Sequence, residues 1–153
     1  MWIHPPLCFC RYSRDKFTLS ADRQLYPLLL SLHQEERLQH VPQIKAALGI
    51  AGVQTNVCSW FSRGTEERRG AQIDLVIQRA DGVTDLCEMK HSTNVFTIDR
   101  DYAMNLQNKL EAYQELSKDK RTVHLVMVTT NGVAHNNNYN LIQNEVTMDD
   151  LFK

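Results

Sequence analysis

Two β-rich runs lie back to back in the middle of the chain, Ala71–Arg79 (AQIDLVIQR) and Val83–Lys90 (VTDLCEMK), with only Ala80-Asp81-Gly82 between them. So short a connection makes them an antiparallel hairpin, because parallel strands need a long crossover. The register follows from the side chains. In the first run Ile73, Leu75 and Ile77 share one face, and Gln72, Asp74, Val76 and Gln78 the other. In the second, Val83, Asp85, Cys87 and Met89 alternate with Thr84, Leu86, Glu88 and Lys90. A two-residue loop at Asp81-Gly82 would set Leu75 opposite Glu88 and Ile73 opposite Lys90, mixing apolar and charged residues on a face that must be buried. A three-residue loop pairs Arg79 with Val83, Leu75 with Cys87 and Ile73 with Met89. It also places Gly82 at the left-handed position of a turn and bulge, which glycine takes at little cost.

That register puts Asp74 opposite Glu88, with Lys90 two residues further along the same face. Facing carboxylates repel and need a compensating cation. Lys90 can supply one, and a divalent ion supplies it better. Hard oxygen ligands suit Mg²⁺ or Mn²⁺. The bland alternative is a solvated hairpin face, since an Asp followed at distance by Glu-x-Lys is a loose pattern.

The flanking segments complete an α/β layout. Residues 1–20 show no period and read as an irregular arm, followed by a single domain over 21–153. Leu25, Leu28, Leu29 and Leu32 recur at helical spacing within 21–40, with a kink or late start at Pro27. Pro42 opens a short helix over 43–48 that Gly49 ends. Val53–Phe61 reads as a strand and Ser62–Gly70 as a charged loop. His91–Ile98 is a loop or ragged strand. Asp99 or Asp101 caps a helix running to about Leu116, with the apolar stripe Tyr102, Leu106, Leu110, Tyr113 and Leu116. Thr122–Thr129 (TVHLVMVT) is the strongest β run and reads as a central strand. Asn140–Thr147 predicts a last strand and Met148–Phe152 one helical turn.

Bulk properties narrow the function classes. The 153 residues suit one domain with a core. The net charge of −1 gives no global nucleic-acid signature, so such contact must rest on a local patch. Cys8, Cys10, Cys58 and Cys87 form no CxxC pair, which fits a reducing cytosol and a cytoplasmic protein. The longest apolar stretch, Leu25–Leu32, is too short to span a bilayer, and no P-loop occurs.

Several stretches together resemble a known family. GAQID (70–74), LCEMK (86–90), the helix after them and Thr122–Thr129 are similar to the PD-(D/E)XK, or restriction-endonuclease-like, nuclease superfamily. HVPQIKAALGI, GAQIDLVI, CEMK, FTID and EVTMDDLF resemble more closely the C-terminal domain of bacterial AAA-type ATP-binding proteins, over about residues 40–153. The resemblance implies an αβββαβ core with a mixed sheet between helices. It implies that Asp74 and Glu88 bind a divalent metal, joined by the Met89 carbonyl, and that Lys90 positions or activates the attacking water. The reaction would be phosphodiester hydrolysis of nucleic acid, DNA foremost, with Mg²⁺ or Mn²⁺ as Lewis acid. An AAA-type ATPase is the implied partner. Ile73 stands where the family name has proline, and Glu35 or Glu36 is the candidate for the glutamate that such proteins often carry on a first helix.

Other residues have plainer readings. Arg63, Arg68 and Arg69 could meet phosphates, but Glu66 and Glu67 neutralise much of that loop. Trp60 reads as a packing residue, His91 as a strand-end residue without chemistry, and His124 as hydrogen-bonded in or beside the core. Lys109, Lys118, Lys120 and Arg121 read as a modest basic cluster near the end of the long helix, which complementing the helix dipole explains about as well as DNA contact does. The rival to an enzyme is an inactive accessory domain that binds DNA or a partner ATPase.

Overall fold

Pro42 lies in the first turn of helix α1 (Val41–Ala47), where its missing N–H leaves no bond unmade. Gly49 follows at φ 71°, the left-handed conformation expected of it. The computed structural model describes residues 7–8, 39–64 and 69–152. The arm expected over 1–20 and the helix expected over 21–40 therefore lie outside the described residues, apart from Leu7–Cys8 and Gln39–His40. Glu35, Glu36, Glu66, Glu67 and Arg68 lie outside them too.

The strands are β1 (Leu7–Cys8), β2 (Thr55–Ser62), β3 (Ala71–Arg79), β4 (Val83–Lys90), β5 (Thr122–Thr129) and β6 (Asn144–Thr147). They form one sheet in chain order. β1 to β4 are antiparallel neighbours, whereas β5 runs parallel to β4 and β6 parallel to β5. Helix α2 (Arg100–Leu116) makes the β4-to-β5 crossover that a parallel pair requires. The strand expected over 140–147 is shorter than predicted, because Tyr139–Leu141 forms a 3₁₀ turn before it. Helix α3 (Met148–Leu151) ends the described chain with a Thr147–Asp150 capping box. Among the described residues no helix is long and apolar enough to cross a membrane.

Both faces of this α/β mixed sheet are covered. On one, α2 packs Leu106 and Tyr113 against Cys58, Trp60, Val76, Leu86, Leu125 and Met127. On the other, Leu75, Ile77, Cys87, Val126 and Val146 pack with Ile44 of α1 and with Ile50. The tight turn forms as predicted, with Gly82 at φ 89° and Leu75 paired with Cys87.

One face assignment needs correction. Cys58 pairs with Val76, but two residues on, Trp60 pairs with Ile73, three residues back. Ser59 is thus opposed by both Asp74 and Leu75, which is a β-bulge in β3. The extra residue reverses the alternation. Ile73, expected beside Leu75 and Ile77, instead packs with Val76 under α2.

Candidate active site

The bulge falls where the β3–β4 ladder ends. Pairing runs from Gln78–Thr84 to Leu75–Cys87 and stops. The expected pairs Asp74–Glu88 and Ile73–Met89 are not formed, because β3 turns away at the bulge. β4 stays paired on its other side through Glu88–Met127, Met89–Val128 and Lys90–Thr129. β4 thus stays paired with β5 where β3 no longer pairs with it.

Asp74 stands at this ladder end. Its Oδ2 accepts the Met89 N–H at 3.1 Å, replacing a ladder carbonyl. The N–H and C=O of one strand residue point to the same side, so the Met89 carbonyl is directed toward β3 as well.

Glu88 sits on the α2 face and is only 5% exposed. Its Oε1 accepts from Lys109 Nζ at 2.7 Å and, at the limit of a hydrogen bond, from the Tyr102 hydroxyl at 3.5 Å. Burial pushes the Glu88 carboxyl above its ordinary range. Lys109 opposes this, Asp74 adds to it and Lys90 opposes it. Burial, reinforced by Glu88 and Asp74, raises the Tyr102 phenol too, so it stays protonated.

Local structure fixes these partners. Asp99 Oδ1 caps α2 by accepting the Tyr102 N–H at 2.8 Å, which sets where Tyr102 begins the helix. The Phe96 ring packs edge-on to Tyr102 with centroids 5.0 Å apart. Lys90 Nζ lies 5.1 Å from the Tyr102 ring centroid, within cation–π range. The Phe96 segment is itself anchored by its bridge to Val133.

Asp74, Glu88 and Lys90 therefore lie about one ladder end, with Tyr102 and Lys109 added. Lys109, expected in a basic cluster near the helix end, belongs to this site. Its side chain is instead 14% exposed and paired with Glu88. The signal was present in the sequence: Lys109 lies seven residues after Tyr102, on the apolar stripe rather than the outer face.

Other residues lie elsewhere. His91, Arg63 and Arg69 are exposed. Trp60 is core, 1% exposed, and edge-on to Tyr113 at 5.5 Å. The hydrogen bond expected of His124 is not made at Nδ1, which lies 3.6 Å from Asp85 Oδ1 without hydrogen-bond geometry. Parallel pairing of Asp85 with His124 sets these two side by side but does not aim them at each other.

Among the described residues no three His, Cys, Asp or Glu side chains gather as metal ligands. Two carboxylates and a backbone carbonyl do fit an ion that keeps several of its waters, as Mg²⁺ does. Set against family models, curated proteins and solved structures, the chain gives no significant match.

Proposed function

We propose that this domain hydrolyses phosphodiester bonds of nucleic acid, DNA foremost, with a divalent metal held by Asp74, Glu88 and the Met89 carbonyl. The observation that carries the reading is the opened ladder, which presents Asp74 and the backbone of Met89 beside the buried Glu88. The order α1-β2-β3-β4-α2-β5, with the last strand parallel, supports a restriction-endonuclease-like core. Bulges recur next to active sites, where they re-aim a side chain. Here the bulge turns Asp74 onto the end of β4.

Bound Mg²⁺ or Mn²⁺ would supply Lewis-acid stabilisation and a more acidic water. The chain's own residues do the rest. Glu88 and Asp74 bring negative charge to a site that burial makes costly without a cation. Lys90, parked on the Tyr102 ring, holds an ammonium at the rim, where it orients the attacking water and faces the charge that develops on phosphate. An AAA-type ATPase acting in trans belongs to the same reading.

The test is cleavage of plasmid, linear and single-stranded nucleic acids with Mg²⁺ or Mn²⁺, comparing wild type with Asp74→Ala. Metal-dependent cutting that disappears in the folded variant is the expected result. Equal cutting by both proteins would sink the mechanism. One observation favours a second reading, an inactive accessory domain that binds DNA or an ATPase: Lys109 already neutralises Glu88. Absence of cutting and of Mn²⁺ binding by wild type and its Lys109 variants would select it.

A further inference from the structure

Glu88 and Lys109 form a pair whose geometry matters beyond the stability of the fold. A carboxylate this buried must have a partner, or it is driven to its neutral form. The partner comes from α2 and not from β3 or β4. It binds Oε1 at 2.7 Å. A divalent ion coordinated by Glu88 beside Asp74 would stand close to this ammonium, and two cations sharing one carboxylate repel. The stem of lysine is long and flexible, and its ammonium is readily hydrated, unlike the planar guanidinium of arginine. Lys109 retains 14% side-chain exposure, which leaves its tip a route to water. The second lysine is placed differently. Lys90 rests on the Tyr102 ring 5.1 Å from its centroid, so it does not have to leave a carboxylate.

We infer that Lys109 is the resident counter-ion of Glu88, that it competes with a divalent cation for Oε1, and that it thereby sets the metal concentration at which the site fills. This deepens the metal-dependent reading and rests on it. In the metal-free protein Lys109 keeps the buried carboxylate paired. On metal binding its ammonium moves off Oε1 into solvent or toward a bound phosphate. No covalent bond is made or broken in the exchange: a charge-assisted hydrogen bond gives way to metal coordination.

The test is Mn²⁺ titration of the full chain, following free Mn²⁺ by electron paramagnetic resonance. Wild type is compared with Lys109→Met, Lys109→Gln, Asp74→Asn and the Asp74→Asn/Lys109→Met double variant. Removing the competing charge is expected to tighten Mn²⁺ binding by roughly tenfold, the scale of a direct coupling between neighbouring groups. The glutamine variant should shift the same way, and both Asp74→Asn proteins should lose the site. Asp74-dependent binding in wild type with unchanged affinity in both Lys109 variants overturns the inference and leaves the metal reading standing. Binding that ignores Asp74→Asn, or no binding by any protein, overturns both. Should the Lys109 variants fail to fold, a second measurement on wild type decides. The Lys109 ammonium resonance, followed by lysine-selective NMR during Mg²⁺ titration, should shift in step with saturation. A resonance unmoved at saturation overturns the inference.

Discussion

Two carboxylates meet the α2 face of β4, one at each end, and their surroundings differ. At one end Asp119, with a side chain 3% exposed, accepts from Thr84 Oγ1 at 2.7 Å, from the Tyr113 hydroxyl at 3.0 Å, from the Arg121 N–H at 3.1 Å and from Arg121 Nη1 at 3.0 Å. At the other end, four residues along the strand from Thr84, Glu88 has one strong donor, Lys109, and a marginal one, Tyr102. Burial acts to raise both groups. For Asp119 the bonds from Thr84, Arg121 and Tyr113 outweigh it, and the carboxyl is held below its ordinary range. For Glu88 burial wins, and the nearby charge of Asp74 adds to it. A carboxylate saturated by fixed donors holds a fold together and has no use for a cation. One left short of donors, beside a second carboxylate and an opened ladder, gains from a cation.

The sharpest break in that comparison comes from exchanging charge for amide at each end. Glu88→Gln should reduce metal-dependent cleavage by at least about a hundredfold, since even outer-shell partners of a metal carry effects of that order. It should change stability modestly, because the glutamine oxygen still accepts from the Lys109 ammonium although the paired charge is lost. Kinetics and chemical denaturation on one preparation check both halves. Asp119→Ala should do the reverse. It strands the Thr84 and Tyr113 hydroxyls and should lower stability by about 2–4 kcal/mol, while cleavage per folded molecule stays near wild type. A loss of cleavage without a loss of stability would place Asp119 in the site.

The same contrast has a pH signature. A carboxyl with a depressed folded pKa binds fewer protons in the native than in the unfolded state near its ordinary pKa, so stability rises with pH there. The contribution of Asp119 is present above the unfolded value, about 3.9, and is lost as pH falls through the folded value. Denaturation midpoints of Asp119→Asn should therefore fall less steeply than those of wild type below about pH 4.

Much of this was legible in residue order, and the gaps have physical causes. The bounds of β3, β4 and β5 followed from β-branched runs closed by turn residues, and the Gly82 turn followed from the requirement that one face stay apolar. The bulge at Asp74 was not legible. Strict alternation continues through Gln72-Ile73-Asp74-Leu75, and the extra residue exists only relative to Ser59 on the neighbouring strand. The face of Ile73 and the end of the ladder were misread for that one reason. Strand register and the family resemblance both point to Asp74, Glu88 and Lys90, although the Asp74–Glu88 pair that the register gives is not formed, and neither points to Tyr102 or Lys109. A stripe of apolar residues along a helix suggests core, and proximity in sequence groups Lys109 with the basic residues toward the helix end. A charged residue at a stripe position indicates a buried partner, which here is Glu88.

Asp85 supplies the smallest and most discriminating prediction. It lies on the opposite face of β4, 1% exposed, and burial raises its carboxyl as it raises that of Glu88, against the pull of Arg79 and His124. By protonation alone the two residues look alike. They differ in the sheet around them. Asp85 sits where the ladder is intact on both sides, paired with Ile77 and with His124. Arg79 Nη1 lies 3.4 Å and His124 Nδ1 3.6 Å from its carboxylate, both from flanking strands. The second carboxylate near it, Asp81, shares Arg79 with it and lies in the turn, not at a ladder end. If the opened ladder makes the site, rather than a raised carboxyl as such, Asp85→Asn should leave cleavage and Mn²⁺ affinity unchanged and alter stability by about 1 kcal/mol or less. The linkage sign is opposite to that of Asp119. With its folded pKa raised, wild type loses stability as pH climbs from about 3.9 through the folded value of Asp85, and the asparagine variant lacks that part of the slope. A cleavage defect in Asp85→Asn comparable to that of Glu88→Gln would mean that raised carboxyls on both faces serve the chemistry, and the distinction drawn from the ladder would fail.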